Sequence, residues 1–147
     1  MSSMIRAALL GLILVGLAGC TSKPVMAPKE LLVVGHSYSN DDIQRAILQA
    51  VAERGWTARN VVPGLVQADI TVRNTFYAAV DIRYSLSNFR IDYRDSRGLD
   101  YKNGKIHRNY NRWVYNLDKS IMRELQRIES NRMVQRATPQ QHLNNAQ

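Results

Sequence analysis

The chain is expected to form an α+β fold, an antiparallel sheet of about four to five strands with two helices on one face, in the order β-α-β-β-β-β-α. Three observations predict it. Apolar residues recur at helical spacing in two stretches, around Ile43–Val51 and around Tyr110–Ile128. Between them, apolar and polar residues alternate with period two, as in strands with one dry and one wet face. Turn-forming residues, Pro63 with Gly64, Ser87 with Asn88 and Asn103 with Gly104, punctuate that stretch.

Leu31 to Val34 is a continuous apolar run ended by Gly35 and reads as a buried strand. Ser39 or Asn40 then caps a helix, with Asp42 near its positive end. Ile43, Ala46, Ile47, Ala50 and Val51 form its apolar stripe, and Gly55 suits a left-handed cap. Trp56 to Val62 reads as the next strand. Ala68, Ile70 and Val72, then Ala78, Val80, Ile82, Tyr84 and Leu86, then Phe89, Ile91 and Tyr93 alternate with polar residues. The last hairpin is expected to pair Leu86 with Phe89, which sets Arg83 against Asp92 and Asp81 against Arg94. A shift by two would oppose Arg83 to Arg90 and Asp81 to Asp92, at a cost of a few tenths to about 1 kcal/mol per pair. Short extended pieces are expected around Leu99, Tyr101 and Ile106. The second helix starts near Asn109 and buries Tyr110, Trp113, Val114, Leu117, Ile121, Leu125 and Ile128.

The amino-terminal residues carry a different message. After Arg6 come small or apolar residues as far as Gly19, too short a run to span a bilayer, followed at once by polar Thr21, Ser22 and Lys23. Leu17, Ala18, Gly19 and Cys20 resemble the lipobox of bacterial lipoproteins. The resemblance implies a signal peptide over 1–19, cleavage before Cys20, acyl chains on the Cys20 thiol and amino group, and a periplasm-facing domain anchored by them. Cys20 is the one cysteine in the chain, at the one position the pattern requires. Thr21 rather than Asp after it points by the same resemblance to the outer membrane over the inner. Several acyl chains make a firm anchor, whereas one would be marginal.

With Cys20 acylated, no disulfide is available and packing alone must hold the domain. Pro24 and Pro28 mark residues 20–29 as a flexible tether, residues 30–129 as the domain, and the Gln- and Asn-rich residues 130–147 as a disordered basic tail.

The chain has a formal net charge of +8, with 20 Lys plus Arg against 12 Asp plus Glu. Positive charge is concentrated between Arg83 and Arg112, so Arg90, Arg94, Arg97, Lys105, Arg108 and Arg112 are the expected contacts for an anionic partner. Such a partner would be an envelope protein, a glycan, lipopolysaccharide or other lipid; nucleic acid fits the compartment least. The plainer alternative is a solvated sheet face whose arginines pair with Asp81, Asp92 and Asp95.

Signs of catalysis are thin, and no enzymatic activity is expected. Gly35, His36, Ser37, Tyr38 and Ser39 approach a nucleophile elbow, which would make Ser37 with His107 a small hydrolase site. The pattern nevertheless needs Gly where Ser39 stands. His36, His107 and His142 with Asp95 or Asp100 lack metal-ligand spacing, so neither metal nor cofactor is expected. Ile106 to Val114 interleaves His107, Arg108, Asn111 and Arg112 with core aromatics, and Asn109 is the expected helix cap. This segment, with Gly55–Trp56 and Asp81–Tyr84, resembles the small envelope lipoproteins of Gram-negative bacteria, a resemblance that implies no activity.

Overall fold

A computed structural model describes residues 21–32 and 38–137. Along the chain run β1 (Ser22–Pro24), β2 (Lys29–Leu31), α1 (Asn40–Glu53), β3 (Thr57–Val62), β4 (Leu65–Val72), β5 (Phe76–Ser85), β6 (Asn88–Arg97), β7 (Lys105–His107) and α2 (Arg108–Ala137). Strands β2-β6-β5-β4-β3 form one antiparallel sheet, and β1 pairs with β7 in a separate two-stranded ribbon. The α+β class follows the sequence.

Helix α1 begins where local chemistry dictates. The Ser39 hydroxyl accepts from the Asp42 amide at 3.1 Å, and the Asp42 carboxylate accepts from the Ser39 amide at 2.8 Å, a reciprocal capping box. Gly55 follows the helix at φ +72°, a left-handed conformation that favours glycine. The core is one layer thick. Ile43, Ile47 and Val51 of α1 and Leu117, Ile121 and Leu125 of α2 pack against Val66, Val80, Ile82, Phe89 and Ile91 of the sheet. At roughly 25 cal/mol per Å² of apolar surface, this burial is the main stabilising term for a disulfide-free domain.

The β5–β6 hairpin corrects the expected register. The two-residue loop is Leu86–Ser87, so Ser85 pairs with Asn88, Tyr84 with Phe89, Arg83 with Arg90 and Asp81 with Asp92. Like charges do stand directly opposite, yet the arginines are long enough to reach diagonally. Arg83 lies 3.1 Å from Asp81 and 3.5 Å from Asp92, Arg90 lies 2.9 Å from Asp92, and Arg94 lies 3.6 Å from Asp81. The register shift between Ala79 and Val80 leaves Arg94 without an opposite residue. Ser85, Ser87 and Asn88 hydrogen-bond one another across the turn, and Leu86 is exposed there rather than buried.

The first expected strand is described only at Leu31 and Leu32. β2 occupies Lys29–Leu31 at the sheet edge, Leu31 is exposed and Leu32 buried, while residues 33–37 lie outside the described residues.

Both chain ends differ from a tether and a tail. Residues 22–24 are the strand β1, and residues 29–31 the strand β2. Pro24 is tolerated because β1 is an edge strand. Helix α2 continues through 130–137, where Arg132 reaches back to the buried Asp42 carboxylate of α1. Burial alone would raise the Asp42 carboxyl, but hydrogen bonds from the Ser39 hydroxyl and amide and from Arg132 outweigh it and hold it at about 2. Residues 138–147 lie outside the described residues.

Candidate functional site

The six expected cationic contacts separate into two groups. Arg90, Arg94 and Arg97 belong to β6 and the outer face of the large sheet. Each is engaged there: Arg90 with Asp92, Arg94 with Asp81, and Arg97 stacked 4.4 Å over the Tyr77 ring. The same face holds Arg59 against Asp69 at 2.7 Å, while Gln67 donates to Asp81 at 3.0 Å. Two neighbouring carboxylates serve three guanidiniums, and the row is satisfied internally.

Lys105, Arg108 and Arg112 lie elsewhere, at the ribbon and the start of α2. Tight-turn chemistry builds the ribbon. Asn103 and Gly104 adopt φ of 51° and 71°, and Lys102 and Lys105 exchange both backbone hydrogen bonds at 2.9 Å. β7 then pairs Ser22 with His107, Lys23 with Ile106 and Pro24 with Lys105. The Thr21 carbonyl accepts from the Arg108 amide at 3.0 Å, and the Val25 amide donates to the Gly104 carbonyl at 3.0 Å.

Asn111 completes the seam between the two segments. Its carboxamide accepts from the Met26 amide at 2.9 Å and donates to the Pro24 carbonyl at 2.8 Å. Asn111, which the sequence places outside the core stripe, therefore clamps the amino-terminal strand. The helix cap differs as well: His107 Nδ1 accepts from the Asn109 amide at 3.3 Å, so His107 takes the role expected of Asn109.

A small aromatic group fixes the loop that leads into the ribbon. Tyr93 stacks on Tyr101 with centroids 4.4 Å apart and meets the Tyr110 ring edge-on at 5.6 Å. Burial, with the nearby Tyr93 and Asp92, pushes the Tyr110 hydroxyl pKa well up, and among the described residues its oxygen has no hydrogen-bond partner. Leu99 and Ile106 are fully buried beside this group.

Seam residues 21–29 and 101–112 hold Lys23, Lys29, Lys102, Lys105, Arg108 and Arg112, and not one Asp or Glu. All six are exposed. Among the described residues, the salt bridges join arginines and Lys119 to carboxylates elsewhere and none involves these six. Helix α2 also opens without an acidic residue in its first turn, so its positive end adds to the field. Arg112 shares a small cavity with Arg73, whose φ is 54°. Within these residues the seam carries positive charge only, with Glu30 and Asp100 just outside it, and its free chemistry is attraction for oxyanions.

Other expected residues contribute less. Cys20, His36, Ser37 and His142 lie outside the described residues. Asp95 accepts from the Ser96 amide at 2.8 Å, and Asp100 adopts φ 51° in the loop. No group of three His, Cys, Asp or Glu among the described residues could hold a metal ion. A groove of about 390 Å³ opens between Leu32, Tyr38, Met122, Leu125 and Met133, beside the hydrogen bond from the Tyr38 hydroxyl to the Leu125 carbonyl. Sequence patterning could not find this groove, because Met133 stands in the polar stretch taken for a tail.

No helix among the described residues is long and apolar enough to cross a membrane. Comparison with protein-family models, with curated proteins and with solved structures returned no match.

Proposed function

We propose that this protein is a lipid-anchored lipoprotein of the cell envelope, a non-catalytic binding or assembly module on the periplasmic side of the outer membrane. The observation that carries the reading is Leu17-Ala18-Gly19-Cys20 at the end of a short apolar run, with the chain's one cysteine in the acylated position. Ala18 and Gly19 are small enough for a peptidase to approach, and a thiol is the nucleophile a lipid can alkylate.

Cys20→Ser should leave the signal uncut and abolish incorporation of labelled fatty acid. Normal cleavage with no lipid on the wild-type chain would refute the anchor.

A further inference from the structure

We infer that the seam of residues 21–29 and 101–112 rests on the anionic phospholipid headgroups of the bilayer that holds the Cys20 acyl chains. It fixes the domain flat against the membrane in one orientation. This inference rests on the reading of Cys20 as the acylated residue, and it adds what the folded domain does once anchored.

The first ground is the absence of slack. The residue after Cys20 is already bonded into the fold, through the Thr21 carbonyl and the Arg108 amide. β1 follows immediately, and Asn111 grips the chain again at Pro24 and Met26. One extended residue spans at most about 3.3–3.6 Å, so a lipid on Cys20 holds the ribbon within a few ångströms of the headgroups. Attraction over such a gap survives salt, because the Debye length at physiological ionic strength is about 8 Å.

The second ground is charge. The segments that meet beside Cys20 carry five exposed cations, Lys23, Lys102, Lys105, Arg108 and Arg112, with Lys29 following at the start of β2; Glu30 and Asp100 stand just outside them, and none of the six cations is in a salt bridge among the described residues. A loop of this kind built for solubility alone would need no such bias, whereas on the sheet face Arg83, Arg90 and Arg94 share Asp81 and Asp92. Phosphodiester groups of anionic lipids supply the missing counter-charge, while a zwitterionic surface offers no net attraction. Each basic side chain at an anionic surface strengthens attachment by about fivefold.

Lysine accessibility tests this on the full-length product. The protein, purified from membranes and checked by intact mass for acylation, is placed in vesicles of phosphatidylcholine alone or with phosphatidylglycerol. Each lysine is then modified with a water-soluble amine reagent and its rate read by mass spectrometry. Lys119, about 16 Å along the helix axis from Arg108, is the internal control.

Lys23, Lys102 and Lys105 should react at least about fivefold more slowly on the anionic vesicles, Lys119 should be little changed, and high salt should restore the rates. Lys102→Glu combined with Lys105→Glu should abolish the lipid dependence at Lys23 while amide protection of the core stays intact. Equal lysine rates on both vesicles, with the acyl mass present, would overturn this inference and leave the anchor reading standing. A chain without acyl mass would overturn both.

Discussion

The outer sheet face and the amino-terminal seam are both rich in cations, but they treat them in opposite ways. On the sheet, Arg83, Arg90 and Arg94 share Asp81 and Asp92, and Arg59 holds Asp69. On the seam, Lys23, Lys102, Lys105, Arg108 and Arg112 form no salt bridge among the described residues. Residue counts between Arg83 and Arg112 merge the two. The difference teaches that excess charge becomes available for a partner only where folding leaves it unmatched, and here that happens beside the expected point of attachment.

The contrast can be broken or sharpened by substitution, beginning with the largest effect. Asp118 is a buried carboxylate without a guanidinium, with Lys119 Nζ 4.0 Å away and one oxygen unpaired. Burial, with the nearby Glu30 carboxylate, raises its pKa to about 6. The folded state therefore keeps a proton that the unfolded chain releases above its ordinary value of 3.8. The Asp118 contribution to stability should be fullest below about pH 4 and be lost as pH rises through about 6, an effect of at most about 3 kcal/mol before solvent screening reduces it. Asp118→Asn should flatten that slope in urea titrations at pH 4.5 and 7. Asp42 has the opposite sense: its contribution is complete above its ordinary pKa and is lost as pH falls toward 2.

Gly98 joins the sheet face to the loop that leads into the seam. Its φ is +70°, and an added Cβ would lie 2.6 Å from the Thr75 carbonyl oxygen. Gly98→Ala should destabilise by about 2 kcal/mol, read from the urea midpoint. Asp81→Ala should cost about 1 kcal/mol, since it leaves Arg83, Arg94 and Gln67 facing an uncompensated gap on a half-exposed surface. Lys102→Ala with Lys105→Ala should change stability by less than about 0.5 kcal/mol, because both side chains are exposed and neither forms a salt bridge among the described residues. A large loss there would mean that the seam is structurally paired after all.

How much of this was legible in the sequence depends on the range of the interaction. Period-two alternation found β4, β5 and β6, and helical spacing found both helices, because each pattern is local and repeats. Directly opposed charges alone predict the wrong hairpin register, because Arg83 and Arg94 reach partners along and across the strands at a diagonal. Residues 20–29 looked like a tether because their prolines hide an edge strand whose partners lie more than 80 residues away. The helical extension to Ala137 was invisible for a similar reason. Met133 and Val134 are mostly exposed, so no apolar stripe announces it, and its link to Asp42 through Arg132 is long-range. The seam itself could not be read, since two basic segments far apart in sequence meet only in the fold.

The chain just after Cys20 is built into the domain and sets cations that are unpaired among the described residues beside the proposed point of attachment. Amide hydrogen exchange at Val25 and Arg108, the two donors that bind the ends of β1, tests it most directly. The wild-type protein should protect both amides by well over tenfold relative to an unstructured chain, and Asn111→Ala should lower that protection while the sheet amides keep theirs. Exchange of both amides at the unstructured rate in the wild-type protein would mean a free tether and would contradict the account.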